Sequence, residues 1–336
     1  MKILNVIVMS KNLLLLLVLL LILIHSTKLE GFASDPQPDS IFVSVASYRD
    51  DECKGTLAEM YAKADSPGRV FVGACEQNKD ALEACLPANF GFTDNVRVIR
   101  LPHTAAKGPT YARYLCTTLY RGETYFMQID SHTKFVQGWD TKLIAMLKRC
   151  PAAKPVLTHY PHMWGTQVAG VTVPVMCKSK FNASGILTFE AVTQPIEKRP
   201  LTPVPFVAAG FMFLRGSALG EVPYDPDLPF LFEGEELLMT ARLWTSGYDF
   251  FTPDENVVFH HYIRNEKPKF WNDIPNYKAV QAKTIEKVRG ILGLTSQPVS
   301  SSYGLGNTRT IQAYWTFAGV DPANKTSRSE QMFCES

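Results

Sequence analysis

The sequence predicts an α/β fold in which a mostly parallel central sheet is flanked by helices. Its first half alternates short apolar runs rich in β-branched residues with longer helical patterns, an alternation typical of parallel sheets with helices on both faces. The runs are continuously apolar, as expected for strands buried on both faces. The chain has 336 residues, 46% of them hydrophobic, which suffices for one large domain or two small ones. The net charge of +2 gives no argument for a nucleic-acid partner.

Residues 1–25 are predicted to be a signal-anchor, and residues 26–40, which are polar and contain proline, a stem. Leu13–Ile24 is an uninterrupted apolar run, and the segment is long enough to span a bilayer if Lys11 lies near the interface. This favours a single-pass type II membrane protein whose catalytic part faces the lumen of the Golgi or ER. The alternative is a cleaved signal peptide and a secreted protein, with residues 31–34 as the cleavage site.

Two further features agree with a lumenal location. The sequons Asn182-Ala183-Ser184 and Asn324-Lys325-Thr326 are acceptors for N-glycosylation in that compartment. The seven cysteines are compatible with disulfides there, and their odd number leaves at least one unpaired.

The elements of the first half follow in order. Strands are predicted at 41–47, 69–75, 96–99 and 125–129, and helices at about 51–64 and 111–120. Asp50 or Asp51 suits the cap of the first helix, and Pro109 suits the first turn of the second. Because ligands of open α/β sheets bind at the carboxyl ends of the strands, polar residues that follow these strands are candidate site residues.

The second half is less regular. We expect an amphipathic helix at 139–149, strands at 155–158, 206–214, 249–251 and 257–259, and helices at 233–246, 278–294 and 308–317. Residues 159–205 are rich in Gly, Pro and Thr and are predicted to form a loop or β-hairpin region over the site. Gly210 lies within an apolar run, where glycine often marks the close approach of a ligand or another backbone.

Asp130 and His132 follow the central strand with one residue between them. Their side chains converge on one ion if the backbone turns there. A hard carboxylate with an imidazole suits Mn²⁺, and tolerates Mg²⁺ or Zn²⁺ less decisively. His260 and His261 follow another predicted strand and supply a third ligand. A cation at this edge can neutralise a diphosphate, as a nucleotide-sugar transferase requires; the alternative is a solvated Asp and a surface His.

Other polar residues have two interpretations each. Arg49 and Asp50 are either nucleotide ligands or a solvated Arg beside a helix cap. Arg113 lies in the first turn of its helix, where a guanidinium reaches a phosphate bidentately. The acidic residues 233–236 complement a helix dipole, but their number exceeds what a cap needs, and one of them is a candidate for holding sugar hydroxyls.

These patterns resemble the GlcNAc-transferase family that modifies hydroxyproline, Thr or Ser of polypeptides. The resemblance covers about residues 40–320. It is carried by Val43–Asp50, Gln128–His132, Phe232–Leu237, and His260–Tyr262 with Arg264.

A more distant resemblance is to the polypeptide GalNAc-transferases. Four stretches fall in the order found in that family: Gly108–Arg113, Asp130–His132, Ala208–Phe211, and Gly234–Leu237 continuing through Arg242–Trp244. Glu236 stands where that family has Asn.

The resemblance implies a GT-A fold over residues 41–322, followed by a loose tail at 323–336. It implies UDP-GlcNAc as donor, Mn²⁺ or Mg²⁺ as cofactor, a protein or peptide hydroxyl as acceptor, and retention of the α configuration. The implied metal ligands are Asp130, His132 and His260, with His261 as the alternative third ligand. The residues implied to act in catalysis are Asp130, Glu235 and Arg113. The residues implied to bind the donor are Ser47, Arg49, Asp50, Arg113, Glu235 and Glu236.

Three alternatives remain open at the level of the sequence. The acceptor could be a glycan, or the donor another UDP-sugar. The chain could be a catalytically silent, membrane-tethered binding protein with the same fold, or a metal-dependent hydrolase. No residue stands out as a covalent nucleophile, so same-face displacement is the preferred mechanism.

Overall fold

The computed structural model describes residues 37–198 and 201–335. The predicted signal-anchor and residues 26–36 of the predicted stem lie outside these ranges. Within them, no helix combines the length and the apolar character that a membrane crossing requires.

The described chain forms strands β1 to β15. They are Ile41–Tyr48, Val70–Asn78, Val96–Pro102, Tyr125–Asp130, Thr133–Phe135, Pro155–Thr158, His162–Met163, Thr172–Phe181, Leu187–Pro195, Pro203–Val204, Phe211–Arg215, Asp249–Phe251, Val258–His260, Val320–Asp321 and Thr326–Ser327. Its α-helices, α1 to α9, are Cys53–Ala62, Pro109–Thr117, Trp139–Arg149, Ala218–Glu221, Glu235–Thr245, Phe270–Asp273, Tyr277–Ile291, Ile311–Ala318 and Ser329–Phe333.

Eight strands form the main sheet, in the order β10-β12-β6-β11-β4-β1-β2-β3. The pairs from β4 through β1 and β2 to β3 are parallel, as is β12 with β6, whereas β11 is antiparallel to both of its neighbours. Along β1, Ile41 and Val43 enter one hydrophobic cluster and Phe42 enters another. Because successive side chains of a strand point to opposite faces, both faces of the sheet are buried. The predicted α/β fold with a mostly parallel sheet is confirmed.

A three-stranded sheet, β5-β13-β7, positions the end of β13 beside the end of β4. β13 is antiparallel to β5, and this pairing places His260 opposite Thr133. His132 immediately precedes Thr133 in the chain. The register of two short strands therefore brings together histidines that are far apart in sequence.

The predicted strand at 206–214 is only partly correct, since β11 begins at Phe211. Three N–H groups in the segment before it donate to side chains instead of to a neighbouring strand. The pairs are Val207 with Thr240 Oγ1, Ala208 with Thr158 Oγ1, and Ala209 with Glu236 Oε1. Apolar composition does not reveal such bonds, because the acceptors come from distant elements.

The prediction of a loose tail at 323–336 is wrong for its described part. β15 pairs with β14, and α9 follows it. Cys334 forms a disulfide with Cys177 of β8, which fastens the C-terminal helix to the long β8–β9 hairpin. A second disulfide joins Cys53 and Cys85. The other cysteines, Cys75, Cys116 and Cys150, are buried thiols.

Candidate active site

A cavity of about 590 Å³ opens at the carboxyl ends of β1, β2 and β4. Its lining includes Tyr48, Gln77 and Asp130 from these strands, the start of α5, and the segment from His260 to Trp271. Small-molecule sites in proteins have volumes of roughly 300–1,000 Å³, so the cavity is large enough for a nucleotide sugar.

Asp130, His132 and His260 meet in this cavity. Each offers one ligand atom, and the three atoms lie within 4.8 Å of one another. His260 Nε2 is 3.0 Å from Asp130 Oδ2, and the two imidazole rings are 4.5 Å apart. The structure thus brings together the three residues that the sequence proposed as metal ligands.

The donor set fits a divalent cation. It combines one carboxylate with two imidazoles, a set that suits Mn²⁺. Within the described chain, buried His260 Nδ1 has no hydrogen-bond partner. The other ring nitrogen, Nε2, faces Asp130 Oδ2 at 3.0 Å, so Nε2 is the His260 atom placed to share a cation with Asp130.

His261 lies outside this cluster, although it also lines the cavity. Its Nδ1 is 2.8 Å from Glu52 Oε2, and its side chain is 44% exposed. The geometry therefore favours His260 over His261 as the third ligand.

Arg113 connects Asp130 with Glu235. Its Nη2 donates to Asp130 Oδ1 at 2.9 Å, and its Nη1 donates to Glu235. Gly108 precedes α2 with a φ of 87°, and a Cβ there would lie 2.8 Å from the Cα of Phe230. Glycine thus permits the tight entry into α2 that places Arg113 in the cavity wall.

The three charges affect one another's pKa. Burial by itself would raise the pKa of Asp130, but the hydrogen bond from His260 and the charge of Arg113 hold it well below its ordinary value. Burial raises the pKa of Glu235, although Arg113 opposes the shift. The cavity therefore contains an ionised carboxylate at the cation cluster and a buried carboxyl stabilised by a guanidinium.

Glu236 fixes the segment that precedes β11. Its Oε1 accepts from the Ala209 N–H at 2.8 Å, and its Oε2 accepts from the Tyr160 hydroxyl at 2.5 Å. Burial raises the pKa of Glu236 to about 7. A Cβ on Gly210 would lie 3.3 Å from Asp130 Oδ2, so the close approach expected at Gly210 is made by the Asp130 carboxylate.

Two residues that were expected to bind the nucleotide, Ser47 and Arg49, do not line the cavity. Ser47 is fully buried and does not line the cavity. Arg49 has a φ of 48°, and its guanidinium pairs with Asp273 at 2.8 Å and with Glu83 at 3.2 Å. A non-glycine residue with positive φ is uncommon, so the sequence does not indicate that this side chain turns away from the cavity.

The Asp50 carboxylate also binds other side chains of the protein. Its carboxylate contacts Ser131 Oγ, His132 Nδ1 and Arg264 Nη2 at 2.5, 2.9 and 2.7 Å. Burial would raise the pKa of Asp50, but His132 and Arg264 lower it to about 2. Burial lowers the pKa of His132, although the hydrogen bond to Asp50 opposes that shift.

The cavity lining includes polar and charged residues that were not proposed as site residues from the sequence, among them Tyr48, Gln77, Arg264 and Lys269. Tyr48 and Gln77 lie at the ends of β1 and β2, so the rule that ligands bind at strand ends would have found them. Arg264 and Lys269 follow β13 in an irregular segment. Arg264 belongs to a stretch that carries the family resemblance, but its place in the cavity, like that of Lys269, is seen only in the fold.

Comparison with known proteins gives both a family and a fold. A family model described as "Glycosyltransferase (GlcNAc)" matches residues 40–91 and 86–324. No curated protein gives a match. The crystal structure of GalNAc-T7 with UDP, GalNAc and Mn²⁺ superimposes with a TM-score of 0.55 at 15% sequence identity, over 87% of this chain and 56% of that chain. The described chain therefore shares its fold with about half the length of GalNAc-T7.

Two crystal structures of an S. aureus TarS fragment are also similar. The first has a TM-score of 0.47 at 13% identity and covers 87% of this chain and 77% of that chain. The second, in complex with UDP-GlcNAc, has a TM-score of 0.42 at 13% identity, with 74% and 72% covered. The family match extends over most of the chain, from residue 40 to residue 324. The chain therefore belongs to the glycosyltransferase (GlcNAc) family.

Proposed function

We propose that this enzyme transfers GlcNAc from UDP-GlcNAc to a hydroxyl of a Thr, Ser or hydroxyproline residue in a protein acceptor, with retention of configuration. The observation that carries the proposal is the cluster of Asp130, His132 and His260, which shares one cavity with Arg113 and Glu235. The GalNAc-T7 structure, which has the same fold, contains UDP, GalNAc and Mn²⁺.

Asp130, His132 and His260 are the residues that would hold Mn²⁺ or Mg²⁺. A cation there neutralises a bound diphosphate and stabilises it as a leaving group. Arg264 and Lys269 line the same cavity and add positive charge for an anionic donor. Glu235 lines the cavity too, and its carboxylate is an acceptor for sugar hydroxyls.

The nucleoside would lie against Tyr48 and Gln77 rather than Ser47 and Arg49. Gln77 Nε2 donates to the Ser47 carbonyl at 3.2 Å, while its buried Oε1 has no partner within the described residues. A free acceptor suits the N3–H group of uracil. The Tyr48 hydroxyl donates to Asp273 at 2.6 Å, which fixes the ring in the cavity wall.

The chemical step needs no covalent intermediate. The acceptor oxygen forms a bond to the anomeric carbon while the sugar–phosphate bond breaks, and the bonding electron pair leaves with the diphosphate. The acceptor proton passes to a phosphate oxygen of the leaving group. Glu235 and Asp130 are each held by Arg113, which favours a stabilising role for these carboxylates over nucleophilic attack.

A lumenal location also belongs to this proposal. Two disulfides form within the described chain, and such bonds persist in oxidising compartments. The apolar segment at 13–24 would anchor the enzyme in a Golgi or ER membrane.

The test is a transfer assay with the full-length chain. UDP-GlcNAc, UDP-GalNAc and UDP-Glc are each incubated with Mn²⁺ and peptides that contain Thr, Ser or hydroxyproline, and products are identified by mass. We expect peptide–GlcNAc, absent when EDTA replaces Mn²⁺ and absent with Asp130→Ala. Transfer of a different sugar would refute the donor assignment, and release of free sugar at the same rate without peptide would refute the transferase.

A further inference from the structure

The Asp50 carboxylate is buried, with 1% of its surface exposed. Its Oδ1 accepts from Arg264 Nη2 at 2.7 Å and from the backbone N–H of Glu52 at 3.1 Å. Its Oδ2 accepts from Ser131 Oγ at 2.5 Å and from His132 Nδ1 at 2.9 Å. A carboxylate has about four lone-pair positions, and four donors occupy them. Asp50 therefore has no acceptor position left for a ligand in the cavity.

The contacts of His132 determine which of its ring nitrogens carries the proton. Arg264 Nη1 lies 3.4 Å from His132 Nε2. A guanidinium only donates hydrogen bonds, so Nε2 presents its lone pair. The proton is therefore on Nδ1, which donates to Asp50. Two partners, one donor and one acceptor, select the same tautomer.

We propose that Asp50 is a positioning residue for the cation site, because it holds His132 in the tautomer and orientation that present Nε2 to a divalent cation. This inference rests on the proposed function and deepens it. It replaces the role in donor binding that the sequence suggested for Asp50. A carboxylate behind a metal-binding imidazole fixes the ring and raises its basicity, and its loss typically weakens metal binding ~10–100-fold.

The neighbouring residue offers a matched control. Asp51 is exposed, and its carboxylate pairs with Lys267 at 2.5 Å. Asp50→Asn and Asp51→Asn remove the same charge from adjacent positions, but only the first changes a contact of His132. A general loss of negative charge near the cavity would affect both variants alike.

The experiment measures Mn²⁺ affinity directly, without donor or turnover. Mn²⁺ is titrated into the full-length chain, and free Mn²⁺ is followed by electron paramagnetic resonance. We expect Asp50→Asn to raise the Kd for Mn²⁺ ~10–100-fold. Asp51→Asn should stay within about threefold of the wild type, since exposed ion pairs contribute little.

A second variant covers the case in which Asp50→Asn fails to fold because Arg264 loses its buried partner. Asp50→Asn combined with Arg264→Gln removes both charges at once, and should melt near the wild type in the absence of Mn²⁺. We expect it to show the same loss of Mn²⁺ affinity, because His132 still lacks its carboxylate. Wild-type affinity in this double variant would overturn the proposal.

The tautomer itself has a spectroscopic signature. The chain contains seven histidines and is labelled with ¹⁵N-histidine for NMR. The imidazole signals of His132 are identified as those missing from the spectrum of His132→Ala. We expect the Nδ1–H pattern in the wild type and its loss in Asp50→Asn. An Nε2–H pattern in the wild type would contradict the proposal.

The outcomes distinguish a failure of the proposed function from a failure of the role proposed for Asp50. If the wild type binds no Mn²⁺, the cation of the proposed function is wrong, and the role of Asp50 is wrong with it. If the wild type and Asp50→Asn bind Mn²⁺ equally, only the role of Asp50 is refuted.

Discussion

Arg113 distributes one buried positive charge between two carboxylates of the cavity. It donates to Asp130 through one nitrogen and to Glu235 through another, and its side chain is only 6% exposed. Removal of one partner from a buried ion pair leaves an uncompensated charge and costs about 3–5 kcal/mol. The position of Asp130, and with it the cation cluster, therefore depends on Glu235.

This dependence predicts the effect of Glu235→Gln. Turnover should fall ~10²–10³-fold, the loss typical when a preorganised electrostatic contact is removed, and the melting temperature should decrease. Glu286→Gln is the control, because Glu286 is exposed and pairs with Arg289 on the helix surface. Equal turnover of the two variants in the transfer assay would contradict the prediction.

Gly210 provides a second test at the level of one atom. Gly210→Ala places a methyl group 3.3 Å from Asp130 Oδ2, which is closer than ordinary van der Waals contact, so the carboxylate must move. Because small displacements in an active site have large effects on rate, we expect turnover to fall about tenfold. Gly220→Ala is the matched control, since a Cβ there meets no atom within 4 Å; it should retain full turnover. An unaffected Gly210→Ala enzyme would show that Asp130 has room to shift.

The raised pKa of Glu236 predicts that the stability of the fold depends on pH. Its pKa of about 7 in the folded chain lies above the value of about 4.3 for an unfolded Glu. The fold therefore favours the protonated form, whose stabilisation is full below the unfolded pKa and is lost as the pH rises through 7. Relative to Glu236→Gln, which mimics the neutral carboxyl, the wild type should lose melting temperature between pH 5 and pH 8. Parallel melting curves of the two proteins over this range would rule the assignment out.

At the level of elements, the site residues that could be identified from the sequence are those at the carboxyl ends of the strands. Asp130 ends a strand whose apolar run is unmistakable and His132 follows that strand, while His260 ends another. The rule that ligands bind at strand ends therefore locates all three. It fails for Ser47 and Arg49, because it gives the end of the strand but not the direction of each side chain. Arg49 turns away at a positive φ, which nothing in an arginine indicates.

The C-terminal elements depend on a covalent bond that spacing alone does not specify. Cys177 and Cys334 are 157 residues apart, and the sequence gives no basis for pairing them among seven cysteines. Replacing both with Ser should destabilise the fold by about 2–5 kcal/mol and make α9 susceptible to limited proteolysis. Mn²⁺ affinity should not change, since neither cysteine belongs to the cation cluster. A wild-type unfolding midpoint in the double variant would contradict this role of the disulfide.

For the whole molecule, the alternation of strands and helices was sufficient to predict the central sheet, while its boundaries required the tertiary structure. Both faces of β1 are buried, as its continuous apolar run indicates. The late start of β11 is set by Thr158, Thr240 and Glu236, whose side chains take the N–H groups that a longer strand would use. Arg264 and Lys269 likewise reach the cavity only through the path of the chain after β13. Local pattern therefore specifies the scaffold and the strand-end ligands, and tertiary packing specifies the rest of the cavity.

The central claim is that a cation held by Asp130, His132 and His260 binds the diphosphate of the donor. The most direct measurement is calorimetric titration of UDP into His260→Ala and His261→Ala, each with and without Mn²⁺, beside the wild type. These adjacent histidines differ in one respect that matters: His260 belongs to the cluster, and His261 pairs with Glu52. We predict that Mn²⁺-dependent UDP binding persists in His261→Ala and is lost in His260→Ala. Retention in His260→Ala with loss in His261→Ala, or UDP binding to the wild type that ignores Mn²⁺, would contradict the account.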